Sequence, residues 1–101
     1  MQKMYTKTPL ANVETELIPA VISGNIVTVV TTIISTVTSA KVELFLYNGS
    51  TKEHTIVLNP PDNESVFIDS KIFLPEGYSM KIKSDQADTT VSAMVDDSVN
   101  S

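Results

Sequence analysis

Two stretches of the chain alternate apolar and polar residues with the period of two that marks a half-buried β-strand. In Lys41 to Tyr47, Val42, Leu44 and Leu46 share one face, and Lys41, Glu43, Phe45 and Tyr47 share the other. In Tyr78 to Lys83, Tyr78, Met80 and Ile82 oppose Ser79, Lys81 and Lys83. Asn48-Gly49-Ser50 follows the first strand as a hairpin signal. Lys52 to Leu58 is therefore predicted to return beside it, with His54, Ile56 and Leu58 on one face. Val13 to Pro19 predicts an earlier strand, with Val13, Thr15 and Leu17 on one face and Glu14, Glu16 and Ile18 on the other. Asn59-Pro60-Pro61-Asp62-Asn63 reads as a firm loop, because proline removes a donor and restricts the residue before it. Glu64 to Asp69, Lys71 to Leu74 and Thr89 to Val95 complete the set, the middle one ending in the Pro75-Glu76-Gly77 turn.

The segment Ala20 to Ala40 carries no charged residue and is long enough to span a bilayer as a helix. Its composition argues for a strand instead. Gly24 and Asn25 interrupt it, hydroxyls recur through Thr28, Thr31, Thr32, Ser35 and Thr36, and β-branched side chains favour extended backbone. Ile26 to Val37 is thus predicted to be one long strand. Both of its faces carry Val or Ile, while a two-sheet domain offers a core on one side only, so the other face should be covered by a neighbouring subunit.

No helical period occurs anywhere, and turn signals recur about every 8 to 12 residues. The pattern predicts an all-β fold, an antiparallel β-sandwich or jelly roll of about eight strands. Its expected core is Val42, Leu44, Leu46, Ile56, Leu58, Ile68, Met80, Ile82, Val91 and Ala93. Residues 13–96 form the sandwich, residues 1–12 a polar N-terminal arm and residues 97–101 a short polar tail.

At 101 residues the chain has room for one modest core. It has no cysteine, so packing or oligomerisation must supply its stability. The opening Met1-Gln2-Lys3-Met4-Tyr5-Thr6-Lys7 lacks the apolar core of a secretory signal, which predicts a protein made and kept in a cytoplasm. A net charge of -5 and the absence of arginine argue against nucleic-acid binding, which relies on cationic side chains neutralising phosphates. No membrane association is expected.

Candidate chemistry is sparse. His54 is the single histidine, and a metal site or a Ser/His/Asp triad needs several such groups to converge. Asp62 with Glu64, Asp85 with Asp88, and Asp96 with Asp97 are paired carboxylates, but none follows the spacing of a calcium loop. Asn48-Gly49-Ser50 and Asn63-Glu64-Ser65 match the glycosylation pattern and are better explained as turns. No catalytic residue, cofactor or metal is expected. The candidate partner-binding positions are Val27 and Val29 on the long strand, and Phe45 with Tyr47, the aromatic pair that projects from one strand.

The order of features has a counterpart. A strand at Leu17 to Pro19 leads through Ser23-Gly24 into the long strand Ile26 to Thr36, and an alternating strand follows through Val42, Leu44, Leu46 and Tyr47. A polar loop then precedes Ile72-Phe73-Leu74-Pro75-Glu76-Gly77-Tyr78-Ser79-Met80-Lys81-Ile82, and Thr89 to Val95 comes last. From about Thr15 to Val95 this resembles the small all-β accessory proteins, decoration or auxiliary, of tailed-bacteriophage virions and prophages. The chain departs from that pattern at Ile22-Ser23-Gly24-Asn25, where the family usually has proline before the glycine and lysine after it. It departs again at Tyr78, where many members are acidic.

The resemblance implies a non-enzymatic virion structural protein, most often a capsid decoration protein that acts through protein interfaces. It also implies a homo-oligomer, with a trimer favoured, that binds the major capsid protein or another virion protein. Such a protein is made in the host bacterial cytoplasm and ends on the virion. The polar arm would then contact the virion surface. Two other readings fit the same fold: a tail, neck or baseplate component, and a carbohydrate-binding module using Phe45 and Tyr47 as a platform.

Overall fold

A computed structural model describes residues 2–99, and among these the chain forms nine strands and no helix. They are β1 (Gln2–Lys7), β2 (Thr15–Ile18), β3 (Asn25–Thr36), β4 (Val42–Asn48), β5 (Thr51–Leu58), β6 (Glu64–Ile68), β7 (Ile72–Leu74), β8 (Tyr78–Ser84) and β9 (Thr89–Val99). One antiparallel sheet runs β1-β9-β3-β6, with β7 also on β3, and the other runs β2-β8-β4-β5. β6 pairs with the Thr32 to Thr36 end of β3 and β7 with the Val27 to Val29 end. The two short strands thus share one position, and the result is a jelly roll of four strand positions over four.

Between the sheets lies a core that includes Leu17, Ile18, Val29, Ile34, Val42, Leu44, Leu74, Met80, Ile82, Val91, Ala93 and Val95. Six of the expected core residues, Val42, Leu44, Met80, Ile82, Val91 and Ala93, are wholly buried. Leu46, Ile56, Leu58 and Ile68 are only partly buried. The last three lie on β5 and β6, which close their sheets on one side, so each has neighbours on one flank alone.

Strand irregularities decide which side chains face inward. In β3 the register to β9 shifts between Val29 and Thr31, so Val30 is an extra residue. Val27, Val29, Thr32, Ile34 and Thr36 are consequently buried, although strict alternation would have turned the second half over. A shift in β2 between Glu16 and Ile18 likewise buries both Leu17 and Ile18, which alternation had placed on opposite faces.

Two terminal expectations are corrected. Of the predicted polar arm, residues 2–7 form β1, paired from Gln2↔Asp96 to Lys7↔Val91. Backbone pairing with β9 holds this strand, and only Tyr5 packs against the core, so its sequence shows no hydrophobic period. The predicted polar tail continues β9 through Val99, leaving residues 100 and 101 outside the described ones, as is Met1.

A relay of buried hydroxyls ties the sheets together at one end. Thr36 Oγ1 donates to the Thr38 carbonyl at 2.5 Å and lies 3.1 Å from Thr89 Oγ1. Ser84 Oγ, from the other sheet, donates to Thr89 Oγ1 at 2.9 Å and accepts from the Gln86 N–H at 3.1 Å. With the Thr36 proton committed to Thr38, Thr89 must donate to Thr36, and every hydroxyl both gives and accepts. Thr89→Val keeps the shape but strands the Ser84 donor, so an expected loss of about 1 to 3 kcal/mol follows. Urea unfolding checks this, with Thr89→Ser recovering most of the stability; an unchanged midpoint for the valine variant would contradict it.

The acidic loops are clasps. Asp62 accepts from the Ser39 N–H at 2.5 Å, Asp85 from the Lys41 N–H at 2.9 Å, Asp88 from the Thr38 hydroxyl at 2.7 Å and Glu76 from the Gly24 N–H at 3.1 Å. Gly77 takes φ +85° in its turn, where a side chain would be strained.

Candidate assembly surface

The side chains that point away from the core differ sharply between the two sheets. On the five-stranded sheet, register places Met4 opposite Met94, Met94 opposite Thr31, Ile33 opposite Phe67, and Thr28 opposite Phe73. Met4 is 56 % exposed, Met94 39 %, Phe67 58 % and Phe73 67 %. Between them run paired hydroxyls, Thr6 with Ser92 at 3.0 Å and Ser35 with Ser65 at 2.7 Å. Asp96 is the one charged side chain among the outward strand positions described on this sheet. The face is broad, apolar and hydroxylated, in a protein of net charge -5. Large exposed apolar patches of this kind mark interaction surfaces.

The outer face of the four-stranded sheet is charged and internally satisfied. Lys52 Nζ lies 3.9 Å from the Phe45 ring centroid and 5.8 Å from that of Tyr47, and Lys81 Nζ lies 4.5 Å from the Tyr47 centroid. The Tyr47 hydroxyl donates to Glu14, which also pairs with Lys52 at 3.7 Å. Each cation–π contact contributes about 0.5 to 1 kcal/mol at an exposed site. Together they place the chain's own ammonium groups over both rings. Across the strand end, the Tyr78 hydroxyl donates to Glu53 at 2.8 Å.

Those hydrogen bonds hold both phenols above the ordinary tyrosine value of 10.0, because ionisation would remove the donor and leave a phenolate beside a carboxylate. The raised value means that the contribution to stability is present below the unfolded-state pKa and is lost as pH rises through the folded one. Glu14→Ala is expected to bring the Tyr47 midpoint down in an ultraviolet tyrosinate titration; an unmoved midpoint would contradict the pairing.

Three of the four sequence-predicted partner positions are not available. Val27 and Val29 are 6 % and 1 % exposed and belong to the core, so they cannot meet a partner while the subunit is folded. The face of β3 that does point outward carries Ile26, Thr28, Val30, Thr31, Ile33 and Ser35, each partly exposed. Phe45 projects away from the core but is 3 % exposed beneath Lys52, and Tyr47 is half-buried between lysines. The Phe45 ring is closed to solvent, and the Tyr47 ring carries the Lys81 and Lys52 ammonium groups. Sequence reasoning missed Met4, Met94, Phe67 and Phe73. Phe67 and Phe73 were legible as the outward members of their strands, between Val66 and Ile68 and between Ile72 and Leu74.

A cleft of about 180 Å³ opens at the β1 edge, floored by Ile18, Val21 and Val27. Lys3 and Asp97 pair at 3.2 Å on its wall. Among the described residues no three His, Asp or Glu side chains are grouped to hold a metal.

The chain is thus a jelly roll with one charged and one apolar outer face. Comparison with family models and with curated sequences finds no match. Among solved structures, the chain is similar to the subunit of Bacillus endospore appendages, described as disulfide-linked pili, with TM-score 0.67 and 17 % identity over 100 % of this chain and 87 % of that one. It is also similar to the PRD1 vertex protein, with TM-score 0.57 and 10 % identity over 93 % of this chain and 94 % of that one. A third likeness is to the virus-like particle of the extra small virus of the giant freshwater prawn Macrobrachium rosenbergii, with TM-score 0.50, 12 % identity and coverage of 96 % and 76 %. At these identities the likeness is one of fold.

Proposed function

We propose that the chain is a non-enzymatic structural subunit of a virion, a decoration protein whose copies join through the apolar outer face of the β1-β9-β3-β6 sheet. The observation that carries this reading is the contrast between the two faces. One is apolar and nearly uncharged, and the other is closed on itself by cation–π and carboxylate contacts. A monomer in water has no use for the first, whereas a subunit of a shell has one face to bury and one to leave wet. The vertex protein and the virus-like particle among its structural neighbours support a virion role. Asp62, Asp85 and Asp88 are occupied in holding loops, which supports a structural rather than a catalytic role for them.

The likeness to appendage subunits favours a second reading, a fibre component outside any virion. With no cysteine, this chain could not be linked by disulfides as those pili are described to be. Immunogold electron microscopy of lysates from producing cells separates the readings. Label on capsids supports decoration. Label confined to tails, or to filaments, overturns it in favour of a tail component or an appendage subunit, and unlabelled particles overturn the virion role altogether.

A further inference from the structure

The apolar face has a geometry that fits one occupant. Met4 and Met94 stand at the level of Thr31 on β3, Phe73 at the level of Thr28 and Phe67 at the level of Ile33. Along β9 these levels are marked by Asp96, Met94 and Ser92. The methionine level therefore lies two residues from each phenylalanine level, about 7 Å either way. The methionines occupy the β1 and β9 side of the sheet and the phenylalanines the β6 and β7 side.

We infer that this face pairs with the same face of a second copy, about a two-fold axis that runs along the strands in the plane of the interface. Such an axis carries β1 of one copy over β6 and β7 of the other and preserves level along the strands. Met4 of each subunit then enters the gap between Phe67 and Phe73 of its partner, and Met94 lies over Val30 and Thr31. The fit is isologous, because each copy offers both the knob and the hole. Methionine suits the role, since its flexible thioether fills irregular gaps and packs favourably at ring edges.

Area and the self-complementary fit argue for a second copy, and charge leaves this face open to one. Two molecules of net charge -5 repel, and the face that carries only Asp96 is where they can approach most closely. Four strand positions at about 4.8 Å and the 12 residues of β3 at about 3.3 Å give a face of roughly 760 Å². A stable interface of standard size takes about 800 Å² from each partner. The inference rests on the reading of this face as an assembly surface, and not on where the assembly is located. The contact has two-fold symmetry, unlike the trimer implied by the family resemblance.

Because the chain has no cysteine, engineered thiols report on the contact without background. In one subunit, positions 4 and 67 lie three strand spacings and two residue levels apart, about 16 Å. A bismaleimide shorter than that is expected to link purified Met4→Cys/Phe67→Cys protein into covalent dimers and to leave each single variant monomeric. Light scattering of the unmodified protein should show a dimer, and Phe73→Lys should weaken its Kd by more than about tenfold with an unchanged circular dichroism spectrum. Cross-linking of Met4→Cys alone would place the axis across the strands and overturn the pairing. A stable monomer, a trimer, or undiminished association of the Phe73→Lys protein would overturn it as well. Failure here leaves the immunogold result untouched, and unlabelled virions leave the cross-link untouched.

Discussion

Leu44→Ala is expected to destabilise the fold by about 2 to 5 kcal/mol, the range for emptying a leucine site in a core that cannot collapse around the gap. Leu44 is wholly buried on β4, between Ile56 of β5 and Ile82 of β8. The backbone around it is held in two ladders, which limits relaxation into the cavity. Domains of this size carry about 5 to 15 kcal/mol in total, so one substitution removes a large fraction of the stability. Each kcal/mol lowers Tm by about 4 to 8 °C in a small domain. A scanning calorimetry shift of about 10 °C or more is therefore expected. Val57→Ala, one residue from Ile56 on the outward side and 48 % exposed, should stay within about 0.5 kcal/mol of the native protein. Equal losses at the two positions would contradict the assignment of the inner face.

Phe67→Lys combined with Phe73→Lys should do the reverse, leaving the subunit intact and abolishing its assembly. Both rings are largely exposed and the core does not include them, so the fold loses little. An aromatic anchor at a buried interface commonly accounts for 2 kcal/mol or more, about a thirtyfold change in affinity. Two such losses, together with two buried ammonium groups, should weaken association by on the order of a thousandfold. Sedimentation velocity of the variant gives the readout, with Tm as the control. Self-association at the native level would show that the subunits join through another face.

Much of the architecture was legible in the residues, because period-two alternation survives wherever a strand has one wet and one dry side. The β4 and β8 strands, the Asn48-Gly49-Ser50 hairpin and the Pro75-Glu76-Gly77 turn were read correctly for that reason. What alternation could not reveal was the point at which it resets. The extra residue at Val30 and the shift in β2 turn side chains over without any signal in composition, and only the ladder shows them. The edge strand β1 was missed for a related reason: backbone pairing holds it, and Lys3, Thr6 and Lys7 read as solvated coil. The surface suffered from both effects. Val27 and Val29 drew notice as the most apolar part of the chain, which is why they are buried. Of the apolar residues that remain on the outside, Met4, Phe67 and Phe73 belong to strands too short or too polar to stand out.

The most direct measurement compares thiol accessibility on the two faces within assembled particles, using Phe67→Cys for the apolar face and Lys83→Cys for the charged one. Both positions lie outside the core, on opposite sheets. Maleimide should label Lys83→Cys in the assembly nearly as fast as in the free folded subunit and should leave Phe67→Cys protected until the particles are taken apart. Equal labelling at both positions, or protection of Lys83→Cys alone, would contradict burial of the β1-β9-β3-β6 face as the means by which this protein assembles.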